Sequence, residues 1–314
     1  MTMRSKKAAL ALAVWVLAAG AARAQIFSLT REELIKYTAQ NPYERFPDGR
    51  PKVPDALLKE FENMSSEEVM GAGGGAPGRP GSVTFVSGFQ VLNPGKKLIG
   101  RALTLQLMPV RQEVAQVDAE EWKKKGNVVP LTHQSALDLL QPGDVFVVDA
   151  GGNVDAGGII GDNLAYYILK TAGTGFVIDG AIRDLEGIAQ LGLAGYFRAA
   201  VPPAIRGLMV TGINVPVRIG NATVMPGDVV FGDREGINFI PPHMVQRLVD
   251  EAKITHIHDE WTRMKFAEGK YKSTDIYSRP RDPQLIKEYE EYLKQKLGAA
   301  AYEQYRKRQA QPGP

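Results

Sequence analysis

Apolar and polar positions alternate over two neighbouring stretches, "SVTFVSGFQVL" (Ser82–Leu92) and "LIGRALTLQLMPV" (Leu98–Val110). Both read as strands, and the second places Leu103, Leu105 and Leu107 on one face. "HQSALDLLQPGDVFVVDAGG" reads as a short helix, a Pro-Gly-Asp turn and a buried strand over Val145–Val148. Helical spacing follows in "GDNLAYYILKTAG", where Leu164, Tyr167, Ile168 and Ala172 share a face. "GFVIDG" returns to strand, "DLEGIAQLG" to short helix and "LAGYFRAAVPP" to strand, before a run of short strands through Pro242. A second Pro-Gly-Asp-Val, Pro226–Val229, echoes Pro142–Val145, and each precedes a buried strand ending in Asp (Asp149, Asp233). The pattern predicts an α/β fold with a pseudo-repeated barrel or sandwich sheet.

The flanks have a different texture. "SLTREELIKYT" predicts a helix capped by Ser28 and carrying Leu29, Leu34 and Ile35 at helical spacing. "NPYERFPDGRPKVP" predicts an extended, irregular connection, and "PDALLKEFENMSSEEVMGA" one or two short helices. "GAGGGAPGRPGS" lacks both the preceding strand and the Gly-Lys-Ser/Thr ending of a phosphate loop, and reads as a flexible loop. After Pro242 a long helix is expected, with Met244, Leu248, Ala252 and Thr255 on one face. Its polar end holds His258, Asp259, Glu260 and Arg263. "PQLIKEYEEYLKQKLG" predicts an amphipathic packing helix through Leu285, Tyr289, Tyr292, Leu293 and Leu297. The tail after Tyr305 is expected to be disordered.

The amino terminus changes the charge picture. Arg4, Lys6 and Lys7 precede the apolar run "AALALAVWVLAAGAA", and "ARA" at Ala22–Ala24 offers the small residues of a signal-peptidase site. Cleavage before Gln25 is expected, giving an exported, periplasmic protein with no membrane span left after cleavage. Of 38 basic residues, Arg4, Lys6, Lys7 and Arg23 leave with this leader. That leaves 34 against 35 acidic ones, a formal charge of −1. The basic pI of 8.9 therefore belongs largely to the leader, and nucleic acid is not expected as a partner. Cysteine is absent, which excludes disulfides, thiolate ligands and a cysteine nucleophile.

Few constellations could carry chemistry. The four histidines (His133, His243, His256, His258) form no H-E-x-x-H, and no G-x-S-x-G or strand–G-x-G-x-x-G–helix is present. What remains begins with Gly157, Gly158 and Gly161, ahead of a helix starting near Asn163. Free amides at such a start favour an anion. Asp162 sits in the same turn, where a plain N-cap is the simpler role. "GFVIDGAIRDLEG" then ends a strand in Asp179 and delivers Arg183 and Asp184 from the next turn. Arg183 offers a planar fork to a carboxylate and Asp184 an oxygen ligand to a hard cation. A surface ion pair is the equal alternative.

Asp162, twenty residues, then Arg183-Asp184 resembles the D-X20-RD signature of class II 4-hydroxy-4-methyl-2-oxoglutarate aldolases, which share the RraA-like fold. "GDNLA", "VIDGAIRD", "PVRIGNATVMPGDVVFGDREGINFIP" and "LIGRALTLQLMP" extend the resemblance over roughly Val53–Glu268. It implies an RraA-like swivelling α/β core with a central barrel-like sheet at 82–268. Around it stand a leader at 1–24, an N-terminal helical arm and Gly/Pro-rich loop at 25–81, and a C-terminal helical extension at 269–314. The implied activity is metal-dependent C–C cleavage of a small 2-oxo acid, by retro-aldol reaction or oxaloacetate decarboxylation. Asp184 would hold Mg²⁺ or Mn²⁺, Arg183 would stabilise the enolate, and Asp162 would order metal-bound water. Gly161, Asn163 and Leu164 would receive the pyruvyl carboxylate. Relatives of this kind assemble as homotrimers or homohexamers and take an acidic residue from a neighbouring subunit, for which Glu260 or Asp259 is the counterpart. Non-catalytic RraA-like regulators typically lack the Asp after the Arg. Retention of Asp184 therefore separates the enzyme from the alternative, a non-catalytic oligomeric binding or regulatory protein.

Overall fold

A computed structural model of the chain describes residues 28–72, 83–277 and 280–310. The expected leader and all but the start of the Gly/Pro-rich stretch lie outside the described residues. Ahead of the sheet come α1 (Arg31–Tyr37), α2 (Asp55–Glu60) and α3 (Ser66–Ala72). The cap of α1 is Thr30, not Ser28. Thr30 accepts the Glu33 N–H, and the Glu33 carboxylate accepts the Thr30 N–H, a reciprocal pair that Ser28 lies too early to make.

The first alternating stretch forms two strands, β1 (Thr84–Val86) and β2 (Gln90–Leu92), at opposite edges of one nine-stranded sheet. Next come β3 (Leu98–Pro109), α4 (Gln112–Lys124), α5 (Gln134–Leu137), β4 (Asp144–Gly158) and α6 (Asp162–Thr171). They are followed by β5 (Gly175–Ile182), α7 (Leu185–Gln190) and β6 (Ala194–Ala200). Strands β3, β4, β5 and β6 pair in parallel through the centre. Val145–Val148 are fully enclosed, as expected of a parallel strand covered on both faces. Leu103, Leu105 and Leu107 share one core with Ile178 and the buried faces of α5, α6 and α7. In α6, Ala165 and Ile168 are buried, whereas Tyr167 is exposed rather than inward.

The remaining strands are β7 (Leu208–Ile213), β8 (Val217–Ile219), β9 (Ala222–Val224), β10 (Val229–Gly232) and β11 (Ile237–Ile240). Strands β8 and β9 form a separate hairpin, while β10 joins the sheet antiparallel to β3 and β11 pairs antiparallel to β10 on its outer side. The two Pro-Gly-Asp turns are alike in detail. The side chain of Asp144 accepts the Gln141 N–H at 2.9 Å, and that of Asp228 accepts the Met225 N–H at 2.8 Å. Their surroundings differ. The stretch before α2 inserts fully buried Arg50 beside Asp144 at 3.0 Å, while Val53, Leu58 and Phe61 pack on β10 and β11.

A short turn at Pro242–Met244 opens α8 (Val245–Ala267), followed by α9 (Ser273–Ile276), α10 (Pro283–Leu297) and α11 (Ala299–Ala310). Met244, Leu248 and Ala252 are buried, as their spacing predicts. His258 departs from the expected polar end: it turns inward, edge-on to the Tyr289 ring at 5.4 Å. Leu285 and Leu293 of α10 are buried in small cores shared with Trp261 and Ile257 of α8. The segment after Tyr305 is helical through Ala310, contrary to the expected disordered tail. Tyr302 is buried with Ile257 and Leu293 and Tyr305 packs against them, and the part-exposed pairs Arg306–Glu290 and Arg308–Asp250 add to that contact.

Candidate active site

Strand β5 ends at Ile182, and the next two residues turn into α7. Asp184 adopts φ 56° and ψ 41°, the left-handed region that Asp tolerates better than most side chains. Across from this turn, the segment between β4 and α6 is tied down by two hydrogen bonds. Ile159 N–H donates to Ala181 O at 2.8 Å, and Arg183 N–H to Ile160 O at 2.9 Å. These bonds bring the N-terminus of α6 against the Arg-Asp turn, beyond the carboxyl end of β5, where ligands collect in α/β folds.

Gly161 shows how close that approach is. A Cβ there would collide with Asp184 Oδ2 and stand 3.2 Å from Arg183 Cζ, so the carboxylate occupies the space a side chain would fill. Arg183 Nη1 lies 3.1 Å from Asp184 Oδ2, with the two side chains 39% and 36% exposed. Asp162 is the first residue of α6, and its Oδ1 accepts the Asn163 N–H at 2.7 Å. Its other face packs on α7, where a Cβ at Gly187 would lie 3.1 Å from Asp162 Cβ. Gly161, Asp162, Arg183 and Asp184 thus meet at one junction, with Asn163 and Leu164 in the first turn of α6. A substrate carboxylate reaching the Asn163 amide would take the place of Asp162 Oδ1.

Asp179 belongs to a different environment. Its Oδ1 accepts Arg198 Nε at 2.6 Å and its Oδ2 accepts the Gly220 N–H at 3.3 Å. Arg198 in turn lies 3.8 Å over the Phe89 ring and donates to Gly88 O. On β4, Asp149 stands in register with Asp179 and accepts the amides of Gly151 and Arg218. These carboxylates are buried and occupied. Glu260 sits on α8, where Lys296 Nζ holds it at 2.7 Å and, with Tyr292, lowers its pKa. Within one chain it is engaged with α10. Asp259 contacts His258 Nδ1 at 3.6 Å.

Among the described residues, no three His, Cys, Asp or Glu side chains gather to cage a metal. The junction instead offers Asp184 in the turn before α7 and Asp162 at the start of α6, carboxylates that solvent reaches. That set fits Mg²⁺ or Mn²⁺, which bind through one or two carboxylates and keep several waters.

The comparisons agree with this architecture. The RraA-like family model, described as Aldolase/RraA, matches residues 78–238, about half of the chain, and the protein belongs to that family. A protein of Halalkalibacterium halodurans, provisionally named 4-hydroxy-4-methyl-2-oxoglutarate aldolase, is 31% identical over 181 residues, 57% of this chain and 77% of its own length. Legionella pneumophila DlpA is 28% identical over 224 residues, 68% of this chain but 32% of its own length. Streptomyces coelicolor RraAS2, described as an unusual member of the RNase ES inhibitor RraA family, superposes with a TM-score of 0.58 at 29% identity. The match covers 68% of this chain and all of that one. The α/β fold with its large central sheet is thus RraA-like, and the C-terminal helices extend it. No helix among the described residues is long and apolar enough to cross a membrane.

Proposed function

We propose that the protein is a divalent-metal-dependent lyase that cleaves a C–C bond of a small 2-oxo acid. The substrate would resemble 4-hydroxy-4-methyl-2-oxoglutarate, giving pyruvate by retro-aldol reaction, or would be oxaloacetate, losing carbon dioxide. The observation that carries the reading is the junction of Asp162, Arg183 and Asp184 at the start of α6, in a family whose relatives bear the aldolase name.

Either cleavage leaves the electron pair of the broken C–C bond on the pyruvyl fragment as an enolate, which then takes a proton. Arg183, half-exposed at the junction, can donate to the enolate oxygen as charge develops there. The first turn of α6, at Gly161, Asn163 and Leu164, favours the substrate's carboxylate through the amides and the helix dipole. Asp184 would hold the metal, with Asp162 ordering its water shell, and the metal would supply Lewis-acid polarisation of the 2-oxo acid when bound. The same reading includes export after cleavage before Gln25 and assembly as a homotrimer or homohexamer. It also gives Glu260, which Lys296 engages within the chain, the part of the acidic residue lent to a neighbouring subunit.

Pyruvate release from 4-hydroxy-4-methyl-2-oxoglutarate and from oxaloacetate, with and without Mg²⁺ or Mn²⁺, tests the reading. Turnover of at least one substrate that stops on chelation is expected. Absence of metal-dependent turnover on both would favour a non-catalytic RraA-like role.

A further inference from the structure

Helix α4 carries an inward face made of Ala115, Asp118 and Trp122, at i, i+3 and i+7. An apolar residue would suit the middle position, yet it is the acid that is buried, at 7% exposure. Asp118 Oδ2 is sealed from solvent and has no hydrogen-bond partner. Burial raises its pKa, and no neighbouring cation opposes that rise. A sealed carboxylate oxygen without donor or counter-charge is costly, and native structures rarely leave one so.

Asp118 lines a cavity of about 400 Å³ between α4, the end of β3, the 131–134 segment and β7. Leu107, Leu131, Leu208 and Val210 make its walls largely apolar, and His133 adds an imidazole whose pKa is lowered by burial. Arg206 also lines the cavity, but it is exposed and makes no ion pair with Asp118. Volume, apolar walls and few polar groups are the attributes of a small-molecule site. Ile205 and Arg206 donate to Gly158 O and Ala156 O, so this wall runs beside the end of β4, itself paired with β5 just ahead of Arg183.

We propose that this cavity is a second binding site, for a small molecule with an apolar body and one ammonium head directed at Asp118. The ammonium would provide the missing counter-charge, and a donor once the side chain turns an oxygen toward the cavity, while the walls take the hydrocarbon. A hydroxyl head would meet the hydrogen bond but leave the charge uncompensated. The inference stands apart from the lyase reading, because none of these residues belongs to the Asp162–Arg183–Asp184 junction.

Calorimetric titration of the full-length protein with hexylamine hydrochloride tests it, beside 1-hexanol as the uncharged probe. Saturable binding of hexylammonium is expected, at least tenfold tighter than hexanol. Asp118→Asn should weaken the amine at least tenfold, and Asp118→Glu should restore part of the loss. Leu131→Trp, which fills the cavity from another lining residue and leaves the acid in place, should abolish binding, and it decides the case should Asp118→Asn fail to fold. No saturable binding to the wild-type protein would overturn the proposal. So would equal affinity for hexanol, or binding unchanged in both Asp118→Asn and Leu131→Trp.

Discussion

Asp179 and Asp184 stand five residues apart on one strand and its following turn, each beside an arginine, and their surroundings are opposite. Asp179 is 6% exposed, with Arg198 on one oxygen and an amide on the other. Asp184 is 36% exposed, with one contact to Arg183 and its carboxylate lodged over Gly161. A saturated, buried ion pair has no capacity left for a ligand. A half-open pair at a helix start, on a residue in a left-handed turn, retains it. The same residue types therefore serve as a structural brace in one place and as a candidate site in the other.

Substitution in each of the two carboxylate–arginine pairs separates them most widely. Arg183→Ala should lower turnover by about 10²–10³-fold, as loss of one charge-stabilising donor does, with an unchanged melting temperature. Asp179→Ala should do the reverse. Leaving Arg198 with a broken pair is expected to cost about 3 kcal/mol in urea unfolding, with the metal requirement of the residual folded enzyme intact. Gly161→Ala probes the junction by crowding Asp184 and Arg183 without removing either. Turnover should fall about tenfold or more, since displacement by an ångström can cost as much as 10², while circular dichroism stays the same.

A third carboxylate sharpens the comparison from the stability side. Asp228 is enclosed, accepts one amide and meets no cation. Burial pushes its pKa to about 7 against the pull of the Met225 N–H. The native state therefore keeps a proton that the unfolded chain loses above its ordinary value of 3.8. Its contribution to stability declines as pH rises from about 4 to about 7, at up to about 1.4 kcal/mol per pH unit. Asp228→Asn should remove that component, visible as a flatter difference in urea midpoint between pH 5 and pH 7.

Much of this was legible in the chain because the signals are local. Alternation marked β3, and the apolar run marked the covered strand at Val145–Val148. The resemblance to the D-X20-RD signature, more than any local signal, singled out Asp162, Arg183 and Asp184, which the fold does bring together. Less could be read where the cause is long-range. The pairing of β1 and β2 at opposite sheet edges depends on partners more than a hundred residues away. Arg50 sat in a stretch expected to be irregular, and only the fold shows that it reaches Asp144. The C-terminal helix packs Tyr302 and Tyr305 on Ile257 and Leu293 and pairs with Glu290 and Asp250, long-range contacts that no local pattern announces. Asp118 left a signal that could have been noticed, an acid at an inward helical position between Ala115 and Trp122.

On the proposed function, Asp184 and not its buried neighbour Asp179 would hold the metal on which activity depends. Mn²⁺ titration followed by electron paramagnetic resonance, on wild-type protein and on Asp184→Ala, tests it most directly. A bound-metal signal is expected in the wild type that weakens at least tenfold in the variant, with pyruvate release lost in parallel. Equal Mn²⁺ affinity in the two proteins, or undiminished turnover in Asp184→Ala, would contradict it.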